Sequence, residues 1–288
     1  MTDLQGKTFL VTGANAGIGR ATVTALAERG ATVVLAARSE EKTRPVLTEL
    51  QARFPAAEPQ FLKLDLADLA ATDRAAKEYL ARGRKLDVLI NNAGLAGTPG
   101  LTKDGFEMTI GTNHLGPFHF TSLLLPLLKE APQGRIVNVS SRAHVRAKGL
   151  YLDEARRSAT TGTALRMYGA SKLMNVLHAN ELARRLAGTK VTTYSLHPGV
   201  VASDVWRNVP ALVRPLMKLF MITNEEGAKT SLHCATAPEL ATVTARYYDK
   251  SREARMNPLA KDEKLAAELW AWSERAVADA LSAPARAA

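Results

Sequence analysis

Short apolar runs rich in Val, Leu and Ile alternate with longer stretches of helical pattern throughout the 288-residue chain. That alternation limits the fold more than any other feature. Parallel strands need long crossover connections, and both faces of a parallel sheet must be covered by helices. Strands are predicted over 8–12, 32–37, 61–64, 86–90, 135–139 and 190–196, with a short edge strand over 245–248. Helices are predicted over 18–29, 40–54, 68–81, 111–129, 225–235 and 262–280, together with one that carries Tyr168 and runs to about 186. Gly30 stops the first helix and Asp68 caps the third. In the last helix, Leu265, Leu269, Trp272 and Val277 fall on roughly one face and read as a core stripe. The fold class is α/β: one domain with a seven-stranded, doubly wound parallel sheet flanked by helices.

The first strand runs into Val11-Thr12-Gly13-Ala14-Asn15-Ala16-Gly17-Ile18-Gly19, and a helix follows at once. A helix N-terminus offers unpaired N–H groups and positive potential, which suit a pyrophosphate. Glycine is needed where the chain turns tightly and a ligand approaches the backbone. The spacing here is G-x-x-x-G-x-G rather than G-x-G-x-x-G. The second strand ends in Ala36-Ala37-Arg38-Ser39, where dinucleotide folds that use NAD place a carboxylate for the ribose hydroxyls. Ala37 supplies none, and the Arg38 guanidinium suits a 2′-phosphate. NADP(H) is therefore expected in preference to NAD(H).

Composition removes several other classes. No apolar run reaches the ~18–20 residues that cross a bilayer, and the first residues lack signal-peptide anatomy. The single cysteine, Cys234, excludes an intramolecular disulfide and a cysteine-cluster metal site. A cytoplasmic location is expected. The formal net charge of +10 raises nucleic acid as a partner. The basic residues are dispersed, however, with no continuous block or interleaved aromatics, so no nucleic-acid partner is expected. His114, His119 and His144 have no metal-ligand spacing with acids or cysteine, and no metal is expected.

Tyr168 and Lys172 stand side by side on one helix face. A free phenol titrates near ~10, too high for proton transfer at neutral pH. A fixed ammonium beside it favours phenolate and lowers that value. The pair is thus a candidate proton donor to a carbonyl, or acceptor from an alcohol. Taken with the glycine loop, these residues resemble the short-chain dehydrogenase/reductase family over nearly the whole chain, which implies a Rossmann fold. Asp65, after the third strand, stands where that family contacts adenine, with Leu66 beside it. Asn91-Asn92-Ala93-Gly94 resembles the family's N-N-A-G on the adenosine side of the cofactor. Asn113 matches the family's catalytic-helix Asn, and Ser141, second of the pair Ser140-Ser141, its catalytic Ser. Pro198-Gly199 matches the P-G turn beside the nicotinamide, with Val201 near the carboxamide.

The resemblance narrows to the retinol-dehydrogenase-like branch. It does so through Leu182-Ala183-Arg184-Arg185-Leu186, through the segment 191–199, and through Glu226-Gly227-Ala228-Lys229-Thr230-Ser231-Leu232-His233-Cys234. Animal relatives often begin with a membrane anchor; here the first strand comes directly, and no anchor is expected. The resemblance implies reversible hydride transfer between nicotinamide and a carbonyl or alcohol, with a hydrophobic aldehyde or ketone as substrate. Tyr168 would transfer the proton, Lys172 would tune Tyr168 and hold the nicotinamide ribose, Ser141 would hold the substrate oxygen, and Asn113 would help hold a water. The single domain would span 1–288, with a substrate-side variable region at about 199–224 and a frayed tail at 282–288. Within the variable region, 205–222 reads as an apolar flap over the substrate. His144 is a candidate for the pocket border. Family habit suggests a homodimer or homotetramer. The competing reading is a non-catalytic NADP(H)-sensing regulator on the same fold, which would have no need of Ser141, Tyr168 and Lys172 together.

Overall fold

The computed structural model describes residues 3–200 and 222–283. In chain order the strands are β1 (Thr8–Thr12), β2 (Thr32–Ala37), β3 (Gln60–Lys63), β4 (Val88–Asn91), β5 (Gly134–Val139), β6 (Val191–His197), β7 (Arg246–Asp249) and β8 (Arg252–Glu253). The helices are α1 (Gly17–Glu28), α2 (Glu40–Arg53), α3 (Leu69–Ala81), α4 (Met108–Ile110), α5 (Gly116–Glu130), α6 (Ala164–Arg185), α7 (Asn224–Thr236) and α8 (Glu263–Ser282). A π-helical turn, Gly111–Leu115, joins α4 to α5.

The strands form one sheet in the order β3-β2-β1-β4-β5-β6-β7-β8, so the winding reverses between β1 and β4. The side-chain period of two decides which layer each residue joins. Phe9 and Val11 pack with Val33, Leu35, Val88 and Ile90 on one face, together with Val23 and Leu26 of α1. Leu10 sorts with Val34, Leu89 and Ile136 on the other, with α3, α5, α6 and α8. A one-residue slip would exchange the two sets, which pins the register Leu10↔Val34 and Leu10↔Leu89. Asn138 in β5 and Ser140 just after it are buried. Asp68 caps α3, accepting from the Ala71 N–H at 2.8 Å.

Two expectations are corrected. The sheet has eight strands, not seven: β7 turns back on itself and pairs antiparallel with β8, Asp249 opposite Arg252. The turn places Lys250 and Ser251 at φ 51° and 57°, a conformation usually marked by Gly or Asn, so no turn signal appears in the sequence. In α8 the most buried residues include Leu269 and Val277 as expected, but also Trp270, whereas Leu265 and Trp272 are only half-buried. The face is rotated because Trp270 packs on Phe118, with ring centroids 4.9 Å apart.

That contact belongs to a buried group in which His114, Phe118, His178 and Trp270 meet between α5, α6 and α8. His114 Nε2 lies 2.8 Å from Ser273 Oγ. Burial pushes His178 down to about 4 from the ordinary 6.5, and also depresses His114. The unfolded chain therefore binds protons that the folded one refuses, so stability is lost as pH falls from about 6.5 towards about 4. For His178 alone the loss is up to about 3 kcal/mol. Urea unfolding across that window should show a steep decline for the parent protein and a shallower one for His178→Leu.

Candidate active site

At the C-terminal ends of the central strands lies a cleft of about 1510 Å³, at the place where the strand order reverses. One half is built by the β1–α1 loop. Gly13 and Gly17 have φ of 66° and 56°, values that other residues adopt only with strain. A Cβ on Gly19 would lie 2.2 Å from the Gly13 carbonyl oxygen and 2.7 Å from Asn92 Nδ2. Asn92 Nδ2 donates to Thr12 O at 2.8 Å, and Thr12 Oγ1 accepts from the N–H groups of Asn92 and Ala93. The loop is thus fastened to the end of β4. Ala16 makes no side-chain cap to α1, and the first turn holds no acid. The first N–H groups of the helix keep their positive potential for a ligand.

Around this loop, Asn15 and Ile18 line the cleft, as do Asp65, Leu66 and Gly94. Asp65 is engaged by the Ala67 N–H at 3.0 Å. Arg38 and Lys42 line its outer end; both are exposed, and among the described residues neither has an ion-pair partner.

The other half is built by β5, α6 and the turn after β6. Ser140 and Ser141 end β5 and do different work. Ser140 Oγ donates to the Lys172 carbonyl at 2.7 Å, tying α6 to the strand. Ser141 lies in the cleft with Tyr168, and its hydroxyl accepts from the Ala143 N–H at 3.2 Å. Lys172 Nζ donates to Val139 O at 2.9 Å and lies 5.8 Å from the Tyr168 ring centroid. Burial pushes Lys172 down to about 8.

Spacing predicts a Tyr168 made more acidic by Lys172, but the net direction here is the reverse. Burial of the phenol raises its pKa, and the Ser141 hydrogen bond opposes that only in part. The ammonium is committed to the Val139 carbonyl rather than to the phenol oxygen.

Asn113 sits in the π-helical turn, fully buried and outside the cleft lining. Its amide exchanges hydrogen bonds with the Leu95 backbone, both at 2.9 Å, and donates to Ser171 Oγ at 3.1 Å. A Cβ on Gly94 would lie 3.1 Å from Lys172 Nζ and 3.2 Å from Asn113 Oδ1, so both polar atoms crowd the same point. Pro198 and Gly199 line the cleft, and Gly199 has φ 98°. Val201, with most of the expected flap and variable region, lies outside the described residues, as does the end of the expected frayed tail.

The family described as short chain dehydrogenase matches residues 7–152. The chain is 43% identical to Retinol dehydrogenase 11 of Homo sapiens over 271 residues, covering 93% of this chain and 84% of that protein. It is 40% identical to Dehydrogenase/reductase SDR family member 13 of Homo sapiens over 280 residues, covering 96% and 74%. A crystal structure of an uncharacterized protein from Mycobacterium Paratuberculosis superposes with TM-score 0.76 at 33% identity, covering 96% of this chain and 94% of that one. The chain belongs to the short-chain dehydrogenase family. It is a member of an oxidoreductase family that works with a nicotinamide dinucleotide, and its likeness is to the retinol-dehydrogenase branch.

Sequence reasoning misses several features of this dehydrogenase's cleft. The π-helical turn has a faint signal: Gly111 and Gly116 bracket Asn113 within a helical pattern. Both positions are crowded, since a Cβ would lie 2.3 Å from Thr102 Cγ2 at Gly111 and 2.4 Å from Leu66 O at Gly116. Glu107, buried, caps this helix by accepting from the Thr109 and Ile110 N–H groups. His144, a candidate pocket residue, is instead buried behind the cleft wall. Its Nδ1 lies 2.6 Å from Ser141 O, and its carbonyl accepts from Asn257 Nδ2 at 2.8 Å. Tyr247 and Asp249 line the cleft without any motif to announce them, and His197, inside the segment 191–199, lines it too.

The Gly19 contact gives a direct check on the loop. Gly19→Ala must displace the Gly13 carbonyl, and fluorescence titration should show dinucleotide affinity reduced on the order of 100-fold. Thermal melting should show a folded protein.

Proposed function

We propose that this protein is an NADP(H)-dependent oxidoreductase that reduces hydrophobic aldehydes or ketones, or oxidises the matching alcohols. The observation that carries the reading is the convergence of Ser141, Tyr168 and Lys172 at one end of a cleft whose other end is the uncapped, glycine-lined N-terminus of α1. The names of the retinol dehydrogenase relatives point to a hydrophobic alcohol as substrate. No helix among the described residues is long and apolar enough to cross a membrane. Cys234 is buried and free.

The fit to a dinucleotide phosphate rests on the residues themselves. The N–H groups at α1, with Gly13, Gly17 and Gly19, leave room for a pyrophosphate. Asp65, Leu66, Asn92 and Ala93 would border the adenosine. Arg38 and Lys42, without an ion-pair partner among the described residues, offer two cations where Ala37 offers no carboxylate, which suits a 2′-phosphate over a bare ribose. Pro198 and Gly199 would border the nicotinamide. When bound, the reduced nicotinamide supplies the hydride.

The remaining chemistry falls to side chains. The buried Tyr168 phenol holds its proton at neutral pH and delivers it to the substrate oxygen during reduction. Ser141, which lines the cleft with Tyr168, donates to the same oxygen and stabilises its developing charge. Lys172 keeps its positive charge below about pH 8 and favours the phenolate left after proton transfer. Asn113 locks Leu95 and Ser171 around Lys172, and so fixes where that charge sits.

Two measurements test this. Tyr168→Phe should bind NADPH with near-parent affinity yet lose turnover by about 1,000-fold, within the range of a lost general acid; near-normal rates would remove Tyr168 from proton transfer. The parent protein should also prefer NADPH to NADH. Arg38→Ala should cut that preference by about tenfold, through a higher KM for NADPH.

A further inference from the structure

The wall of the cleft beyond Tyr168 is formed by β7. Tyr247 and Asp249 are two residues apart on this strand, so their side chains leave the same face of the sheet. Pairing sets Tyr247 beside Ser195 and Asp249 beside His197, and both β7 residues line the cleft. The Tyr247 ring packs on His144, with centroids 4.5 Å apart, and the residue is 1% exposed.

The hydroxyl of Tyr247 has no hydrogen-bond partner among the described residues. The other most deeply buried tyrosines do not share this condition. Tyr79 donates to Lys85 O at 2.9 Å, and Tyr194 donates to Leu240 O at 2.5 Å. Natural interiors rarely leave such a group unmet, and an exception needs an explanation. Asp249 shows the same pattern. Its Oδ2 takes both Arg142 contacts, 2.7 Å from Nε and 2.6 Å from NH2, while Oδ1 is buried and unpartnered. Through Oδ2 the Asp249 carboxylate accepts from Arg142, and Oδ1 offers a further acceptor. Burial raises the Tyr247 pKa, so its phenol is a neutral donor. Tyr247 and Tyr168 line the same cleft.

One donor and one acceptor, both buried and both unmet among the described residues, thus share one face of β7 in the wall of the cleft that also holds Tyr168. An alcohol group satisfies the two together, accepting from Tyr247 and donating to Asp249. A methylene satisfies neither, and burying these groups against it leaves both unpaired. We propose that Tyr247 Oη and Asp249 Oδ1 form a second polar subsite that recognises a hydroxyl close to the reacting carbonyl, so that hydroxy-substituted ketones and aldehydes are the favoured substrates. This rests on the reading of the cleft as a hydride-transfer site, and it narrows the substrate from any hydrophobic carbonyl to a hydroxycarbonyl.

The test compares octan-2-one with 3-hydroxyoctan-2-one, which differ by one hydroxyl. With NADPH, the parent protein should show a KM for the hydroxyketone about tenfold below that for the ketone, equivalent to about 1.4 kcal/mol. Tyr247→Phe keeps the ring against His144 and removes only the donor; the ratio of the two KM values should fall to near one. A parent protein without the preference, or a variant that keeps it, overturns the subsite. A binding measurement separates this from the failure of hydride transfer itself. Calorimetry of the NADPH-loaded protein should show octane-2,3-diol binding about tenfold tighter than octan-2-ol, with the difference lost in Tyr247→Phe. If neither ketone is turned over but that difference is present, the subsite stands and the catalytic reading falls. If both ketones are turned over equally, and the two alcohols bind equally, only the subsite falls. An ordered water as the sole partner of Tyr247 would leave both ratios unchanged by the substitution.

Discussion

A buried ammonium is the constraint around which the cleft is organised. Lys172 is fully enclosed, and the cost of taking its charge out of water shows in a pKa pushed down to about 8. The carbonyl of Val139 holds its Nζ, the hydroxyl of Ser140 holds its backbone, and Gly94 leaves the space into which Nζ projects. Each of these comes from a strand end or the turn after it. The sheet therefore does more than support α6; it fixes the position of a charge. Asn113 completes the enclosure from the opposite side, through a turn wound more loosely than an α-helix.

The two halves of the cleft are made by different physical means. The glycine loop works by absence: no side chain at Gly19, no cap at Ala16, no acid in the first turn of α1. The half around Tyr168 works by satisfaction, with the Asn113 amide, Ser171 Oγ and Lys172 Nζ all engaged in hydrogen bonds. Backbone groups left open invite a ligand that brings its own negative charge. Side chains locked by neighbours are suited to hold a small group in one orientation.

Much of this was legible in the sequence, for identifiable reasons. Strand and helix order followed from periodicity, since Phe9, Leu10 and Val11 must sort to alternate layers. The glycine loop and the Tyr168–Lys172 spacing carried their geometry in residue type alone. Burial did not. The upward shift of the Tyr168 phenol depends on how completely α6 is packed, and spacing reports only the neighbour at four residues. His144 is another case: three positions from Ser141 suggested the pocket, but Asn257, more than a hundred residues away, draws it behind the wall. The β7–β8 turn was hidden because Lys250 and Ser251 adopt a backbone that residue type does not advertise. Tyr247 and Asp249 were invisible for a related reason, since a strand at the far end of the sheet meets the cleft only through topology.

The small reversal at the end of β7 has a consequence of its own. Without it the parallel sheet would finish on a strand with a bare row of amides and carbonyls, open to any extended peptide that drifted alongside. The doubled-back Arg252 and Glu253 occupy part of that row and put opposite charges at the margin, both outward to water. An intruding strand would find little free backbone there, and would have to strip solvent from two ions to reach it. The last two-residue strand is thus a hem that keeps the sheet from fraying into its neighbours.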